Sequence, residues 1–345
     1  MTIDKTMSNE EYHRKLKGIS STRIKDVIAR NVGHAMWKAE PENNHTTDAL
    51  IRGTAMHSAI LTPDRFGDEI IPMIDCDSLA VKNGDEAKDW IRERNKTVPK
   101  DEKMKLTYKT VDELYAAVAE AGGPRQAADI EREYRARHIG RTIVSKELYD
   151  ESLEIGRAVR SHPTSAALLT HGEPEVSMWV ERDMVVDTGQ GPRAVSLTLK
   201  VRPDWYDNEL RVRVAGIPPK RLILSVKTSR DASQGKFSRD AANMLYYVSE
   251  SYYVDVVSAA TGTDPSEWMV MWLVVDTSGE FQDRIQSIAH YYLSDEEIDA
   301  GRWRYEKALD AIAVARLYEA HPVMGGYPWQ AQPAKLPRHI HYGGE

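Results

Sequence analysis

Hydrophobic residues in the first half of the chain recur at helical spacing. Ile24, Val27 and Ile28 stand three and four positions apart, and this places them on one face of a helix. Ser20 precedes them and is a favoured N-cap residue. The same spacing, with Pro and Gly as breaks, predicts these helices: Thr22–Arg30, Thr47–Leu61, a helix with an exposed loop in Asp85–Leu106, Val111–Ala121, Pro124–His138 and Lys146–Ser161.

The spacing changes to strict alternation after residue 173. Ala194–Asp204 shows it most clearly, with apolar residues at every second position from Val195 to Val201. Successive side chains of a strand point to opposite faces, so the alternation predicts a half-buried strand. Related patterns predict further strands at Glu175–Val180, Arg221–Thr228, Trp268–Val275 and Ile288–Leu293.

Two helices are predicted among and after these strands. One covers Ala241–Val257, and the other begins at the capping box Ser294–Glu297 and ends near Tyr318. The tail from residue 320 is irregular in pattern. We therefore expect one α/β domain over residues 1–345, with a central mixed sheet flanked by helices and a helical N-terminal half.

Composition describes an ordinary globular protein. The chain has 345 residues, of which 41% are hydrophobic and 29% charged. Its single cysteine, Cys76, excludes an internal disulfide framework and is consistent with a reducing cytoplasm, where we expect the protein. No apolar run approaches the about 18 residues of a membrane span. The net charge of −7 does not favour nucleic-acid binding, although a basic cleft can lie in an acidic protein.

Candidate chemistry gathers where two predicted strands end. Period two places Ser225 and Lys227 on one face of their strand, and Asp204 ends the strand before it. A carboxylate beside a lysine suits a magnesium-dependent phosphodiesterase, because the carboxylate binds a hard cation and the lysine neutralises phosphate charge. From spacing alone, an ordinary surface ion pair explains these residues better.

Four segments of the sequence are informative when they are taken together. They are ISSTRIKDVI (19–28), RGTAMHSAILTPDRF (52–66), VRPDWY (201–206) and SVKTSRDAS (225–233). Their order resembles that of the RecE-like exonucleases of phages and prophages, a branch of the PD-(D/E)xK nuclease superfamily. Residues 100–138 have no counterpart in that pattern and are interpreted as a helical insertion. The resemblance implies a PD-(D/E)xK core.

The resemblance also implies an activity and its residues. The activity would be 5′–3′ degradation of linear duplex DNA with Mg²⁺ or Mn²⁺ as cofactor. The protein would act in phage recombination in the host cytoplasm. Its partners would be a single-strand annealing protein and possible further copies of this chain in a homo-oligomer. His57 and Asp204 would bind or orient the metal, Lys227 would be the catalytic lysine, and Glu175 would be a further acidic residue near the site. The candidates for DNA contact are Arg202, Tyr247 and Tyr253.

Two positions depart from the family pattern. Ser225 stands where the family has its second metal carboxylate, and Ser249 stands where it has a glutamine. Glu250 or Asp231 can supply the missing carboxylate if either lies near Asp204. Otherwise the chain is a degenerate nuclease fold that binds DNA or a protein partner as an inhibitor or scaffold. The sequence leaves both alternatives open.

Each residue also has a purely structural interpretation. His57 lies among apolar residues and suits a buried core histidine, whereas Glu175 suits the polar face of an exposed strand. The nuclease interpretation makes a sharper prediction, since it requires His57, Asp204 and Lys227 to share one cleft. It also places Ser225 beside Lys227.

Overall fold

The structure is a computed structural model that describes residues 2–40, 43, 47–76, 80–188, 191–280 and 283–318. The predicted irregular tail lies outside these residues. The chain divides into two compact units, Met1–Thr47 with Ala158–Glu345 and Asp48–Arg157. Sequence analysis expected one domain with an insertion at 100–138, whereas in the structure that segment is part of the second unit. No helix among the described residues combines the length and apolar character that a membrane span requires.

Helices predominate in the first half of the described chain, and most of the long strands lie in the second half. The helices are α1 (Ser21–Ala29), α2 (Val32–Ala39), α3 (Asp48–Leu61), α4 (Phe66–Glu69), α5 (Gly84–Thr97), α6 (Val111–Glu120), α7 (Ala127–Arg137), α8 (Lys146–Ser161), α9 (Pro163–Leu168), α10 (Gln234–Asn243), α11 (Tyr246–Thr261) and α12 (Asp295–Leu317). The strands are β1 (Thr2–Asp4), β2 (Ile70–Pro72), β3 (Ala80–Val81), β4 (Arg125–Gln126), β5 (Thr142–Val144), β6 (Glu173–Pro174), β7 (Ser177–Thr188), β8 (Gly191–Val201), β9 (Trp205–Val212), β10 (Lys220–Ser229), β11 (Trp268–Asp276) and β12 (Ile288–Tyr292).

The first unit is mixed α/β and contains two sheets. A five-stranded sheet has the order β12-β11-β10-β9-β6, in which β10 and β11 are parallel and the other pairs antiparallel. An antiparallel sheet has the order β1-β7-β8. The expectation of one central sheet that also holds residues 175–180 and 194–204 was therefore wrong.

The predicted strand Ala194–Asp204 is interrupted, which explains the second sheet. β8 ends at Val201, and β9 begins at Trp205 in the other sheet. Pro203 lies in the break, and proline cannot donate a ladder hydrogen bond, so it favours a strand end. The break leaves Asp204 directly before β9 rather than at the end of a continuous strand.

Alternation on β10 matches the prediction. Ile223 lies in one core cluster with Val270, Trp272 and Val274 of β11. In the parallel register Ile223 pairs with Val270 and Ser225 with Trp272, so these side chains face the same side of the sheet. Helix α11 packs against this core, and the side chain of Tyr252 on it is completely buried.

The predicted helix Ala241–Val257 is divided into α10 and α11. Leu245 lies between them with a φ of 55°, in the left-handed region. That conformation costs a non-glycine residue about 1–2 kcal/mol, and the packing of the Leu245 side chain against the core offsets it. The sequence also gave no indication of α2, and Pro163 begins the short helix α9 rather than only ending α8.

The capping predictions were confirmed at both ends of the first unit. The Ser20 hydroxyl accepts a hydrogen bond from the Arg23 N–H at the start of α1. At the start of α12, Ser294 and Glu297 form the reciprocal capping box. Both devices satisfy N–H groups that a helix leaves unpaired at its first turn.

The second unit has small cores of its own. One is formed by α5, α6 and β3 around the fully buried Ile91 and Val118. Another packs α3 against β2 and β5, with Phe66 buried among them. Helices α3 and α8 approach closely, because a Cβ atom built on Gly156 would stand 2.6 Å from the carbonyl oxygen of Ala59. The glycine permits that approach.

Candidate functional site

Asp204 and Lys227 lie together at neighbouring strands of the five-stranded sheet. β9 runs antiparallel to β10, with Trp205 opposite Leu224. The Asp204 carboxylate therefore reaches β10, where its Oδ2 accepts a hydrogen bond of 2.7 Å from the Val226 N–H. The Lys227 Nζ lies 3.9 Å from the same oxygen, and both side chains remain about one fifth exposed. A substrate can reach a pair with this exposure.

A second carboxylate, that of Glu250, faces this pair from α11. Glu250 is only 2% exposed. Its Oε1 accepts a hydrogen bond of 3.3 Å from the indole N–H of Trp272, while its Oε2 is buried with no hydrogen-bond partner among the described residues. The Ser225 hydroxyl is near enough to the carboxylate to favour its charged form, although no described group forms a hydrogen bond with Oε2. Glu250 is thus a buried acid with one unused oxygen.

The electrostatics of Glu250 depend on the same neighbours. Burial raises the pKa of Glu250 above its usual value, and the charge of Asp204 raises it further. The ammonium of Lys227 and the hydroxyl of Ser225 act in the opposite direction. A buried carboxylate whose pKa is raised by a second carboxylate nearby is typical of sites where a cation neutralises the negative charge.

A second lysine approaches the site from α1. The Nζ atoms of Lys25 and Lys227 lie 5.5 and 5.3 Å from the centre of the Tyr246 ring. Burial lowers the pKa of Lys25, as does the nearby charge of Lys227. The ring attracts both cations through its negative face and holds them near each other. Sequence analysis missed Lys25, because nothing in the local pattern relates α1 to a strand about 200 residues later.

The main chain of Glu175 is hydrogen-bonded to the main chain of Asp204. Its N–H donates to the Asp204 carbonyl oxygen at 3.2 Å, and its φ of 52° is left-handed. Its carboxylate pairs with Arg202 at 3.1 Å. Glu175 lies just before β7 rather than in it, so its predicted place within a strand was wrong. The left-handed conformation ends strand geometry there.

The predicted DNA-contact residues make intramolecular contacts. Arg202 is half-buried, with a side-chain exposure of 10%, and it donates to the Met7 carbonyl oxygen and the Ser177 hydroxyl. The Tyr253 hydroxyl donates to the Arg202 carbonyl oxygen at 3.3 Å. Burial raises the pKa of Tyr253, as do the charges of Asp204 and Glu250. Tyr253 therefore forms one wall of the candidate site.

Tyr247 and Ser249 lie on the same helix with other neighbours. The ring of Tyr247 lies under the guanidinium of Arg304, at 5.8 Å. Ser249 is buried, and its hydroxyl lies 3.5 Å from the Leu245 carbonyl oxygen. A serine at this position occupies its hydroxyl within its own helix, as serines in helices commonly do.

Asp231 and His57 are the remaining candidates from the sequence. Asp231 accepts a hydrogen bond from the Ser233 N–H in the loop after β10, which lowers its pKa, so it is a turn residue. His57 is half-buried on α3 of the second unit, beside the buried Met56 and Ser58. The shared cleft of His57, Asp204 and Lys227 stays a prediction.

The carboxylates of Asp204 and Glu250 are the candidate ligands for a divalent cation. No group of three or more His, Cys, Asp or Glu within the described part of the chain is placed to hold a metal. Magnesium, however, is commonly held by one or two carboxylates, with water and substrate phosphate completing its octahedron. Asp204 and Glu250 meet that requirement, and the unused Glu250 Oε2 is a suitable hard ligand.

Comparison with known proteins assigns no family to the chain. No protein-family model and no curated protein matches the chain. A structure titled "Crystal structure of SSO0001" is similar, with 15% sequence identity and a TM-score of 0.21. That match covers 54% of this chain and 69% of the other.

Proposed function

We propose that the chain is a metal-dependent nuclease of the RecE-like, PD-(D/E)xK type that degrades linear duplex DNA. The observation that carries the proposal is the buried Glu250 carboxylate, which faces Asp204 and Lys227 and leaves one oxygen without a partner. Burying a charged group is costly unless it is paired or coordinates a metal. A site for a cation explains the cost, whereas a surface ion pair between Asp204 and Lys227 does not require Glu250.

Glu250 supports the proposal because it offers the carboxylate that Ser225 lacks. Ser225 and Trp272 are register partners on one face of the sheet, and Glu250 reaches that face from α11 with a bond to Trp272. The acidic group would thus come from the helix rather than from the strand. The site would keep two carboxylates and one lysine despite the serine.

The roles of the side chains follow from their positions. Asp204 and Glu250 would hold the Mg²⁺ or Mn²⁺ ion. When bound, the ion supplies Lewis-acid activation of water and of the scissile phosphate. Lys227 is exposed enough to contact that phosphate and to neutralise charge that develops on it. Lys25 adds a second cation near the Tyr246 ring, which favours a polyanionic substrate.

The alternative is a nuclease fold without catalysis, and one observation favours it. The raised pKa of Glu250 favours its neutral form in the absence of a cation, and a neutral acid is a weak magnesium ligand. Under this alternative the chain would bind DNA or a protein partner and cleave nothing.

Paired variants distinguish the two. Glu250→Gln removes the charge with little change of shape, and Glu296→Gln does the same at an exposed position in the first turn of α12. We expect digestion of end-labelled linear duplex DNA in Mg²⁺ by the wild type and by Glu296→Gln, with Glu250→Gln inactive. Binding of the duplex by all three proteins, with cleavage by none, would replace the nuclease proposal by the interaction alternative.

A further inference from the structure

A separate pocket of about 510 Å³ opens in the first unit between the segment before α1, helices α1, α2 and α12, and β8. It shares no lining residue with the site of Asp204, Glu250 and Lys227. Pockets of this size are typical of small-ligand sites. The charges on its wall decide what it can hold.

The charged side chains that line the pocket are all basic among the described residues. They are Arg14, Lys17, Arg23, Lys200 and Arg316. His13 also lines the pocket, but burial lowers the pKa of its imidazole, which favours the neutral form. Arg14 has an ion-pair partner, Glu10, which does not line the pocket. Arg316 donates to the Ser196 carbonyl oxygen, a neutral group. Most of this positive charge is therefore not neutralised by a carboxylate in contact with it.

Lys200 is the most deeply buried of these cations, and besides main-chain carbonyls its Nζ contacts the Tyr12 ring, 4.5 Å from the ring centre. It is 5% exposed, and its Nζ donates to the carbonyl oxygens of Tyr12 and Leu16, both at 2.7 Å. No described carboxylate forms an ion pair with it. Burial lowers the pKa of Lys200 to about 8, and the positive charge of Arg23 contributes. An ammonium has three N–H donors, so one is not used by these carbonyls.

The rest of the pocket wall is mostly apolar. It is formed by Val27, Val32, Met36 and Ile312, among others. A bare inorganic anion would leave this wall uncovered, and a ligand with a single carboxylate would neutralise only one of the cations. The combination suits a ligand with several negative charges at one end and a flat, weakly polar body at the other. Phosphate groups pair well with Arg and Lys.

We propose that this pocket binds a nucleotide, with its phosphate groups on Lys200, Arg23 and Arg316 and its base against the apolar wall. The nucleotide can be free or can stand at the phosphorylated end of a strand, since both present the same chemistry. The proposal is independent of the nuclease proposal, because it requires neither a metal nor Asp204.

The test measures binding by calorimetry in EDTA, with the full chain. The probes are ADP, inorganic pyrophosphate and adenosine. We expect ADP to bind more tightly than pyrophosphate or adenosine, because only ADP has both phosphate groups for the basic residues and a base for the apolar residues of the pocket. ADP binding no tighter than pyrophosphate binding would overturn the assignment to a nucleotide.

Variants locate the binding. Arg23→Gln and Arg316→Gln should each weaken ADP binding roughly tenfold, since each removes a charge-assisted hydrogen bond. Lys307→Gln, on the exposed side of α12, is the matched control and should leave it unchanged. These variants avoid Lys200, whose bonds to main-chain carbonyls make it structural as well. Equal affinities in all four proteins would overturn the proposal.

One further comparison identifies the source of the nucleotide. A short oligonucleotide with and without a terminal phosphate is titrated into the wild type and Arg23→Gln. Tighter binding of ADP, or of the phosphorylated strand, that is lost in Arg23→Gln supports the proposal and names the source. Binding of both strands with equal affinity, with no binding of ADP, overturns it.

Discussion

Replacing Glu250 by glutamine should stabilise the protein in the absence of metal. Glu250 is buried with an oxygen that lacks a hydrogen-bond partner, and such an acceptor costs about 1–3 kcal/mol. The glutamine amide can direct its N–H₂ group toward the Ser225 hydroxyl and carries no charge to desolvate. We expect the free energy of unfolding to rise by about 1–2 kcal/mol, which raises the melting temperature by a few degrees.

The stability difference between the wild type and Glu250→Gln should also depend on pH. The folded-state pKa of Glu250 is raised above its value in the unfolded chain. The folded wild type therefore binds the proton more strongly, so its stability relative to Glu250→Gln is greatest below the unfolded pKa of about 4.3. That relative stability falls as the pH rises through the folded pKa. The advantage of the glutamine variant should thus grow as the pH rises above the unfolded pKa.

Urea unfolding in EDTA, followed by circular dichroism, measures this difference. Glu296→Gln serves as the control and should differ from the wild type by no more than a few tenths of a kcal/mol, since it alters only an exposed acid at a helix start. Added Mg²⁺ should stabilise the wild type, by about 2.7 kcal/mol at one hundred times its dissociation constant, and not Glu250→Gln. A glutamine variant less stable than the wild type at pH 8 in EDTA, or equally stabilised by Mg²⁺, would refute the reasoning.

The remaining predictions concern the strand serine and two packing sites. The double variant Ser225→Asp/Glu250→Gln moves the carboxylate from helix to strand and should cleave DNA faster than Glu250→Gln alone; no recovery would contradict the shared role. Gly156→Ala should lower the urea midpoint, at a cost of about 1–3 kcal/mol, because its Cβ would lie 2.6 Å from the Ala59 carbonyl oxygen; an unchanged midpoint would count against that contact. Tyr252→Phe removes a hydroxyl that forms hydrogen bonds with two main-chain groups. It should lower the free energy of unfolding by about 1–3 kcal/mol in the same measurement. An unchanged free energy would show that only the packing of the ring matters.

Local patterns predicted the elements better than their assembly. Helix periodicity and caps placed α1 and α12 nearly to the residue, because these signals act within one turn. Alternation predicted β10 and its faces, but it could not show that the chain leaves one sheet at Pro203 and enters another at Trp205. That change depends on which strands pair, which is a long-range property.

The candidate site shows the same limit. Asp204 and Lys227 were expected together because each ends or follows a strand, and their ion pair at 3.9 Å agrees with that. Glu250 was only one of two possible replacements for the missing carboxylate, since helix pattern alone does not show which side chain faces the sheet. The left-handed Leu245, which has no sequence signature, separates α10 from α11 and sets where α11 begins.

The most direct test of the central claim is digestion of end-labelled linear duplex DNA by the wild type and by Lys227→Ala, with Mg²⁺ or Mn²⁺. Lys227 is the half-buried cation beside Asp204, and its loss should leave folding intact and remove stabilisation of charge on the phosphate. The account predicts metal-dependent digestion by the wild type that EDTA abolishes, and a rate at least roughly 100-fold lower for Lys227→Ala. A wild type that binds DNA without cutting it, or digestion that Lys227→Ala carries out at the wild-type rate, would contradict the account.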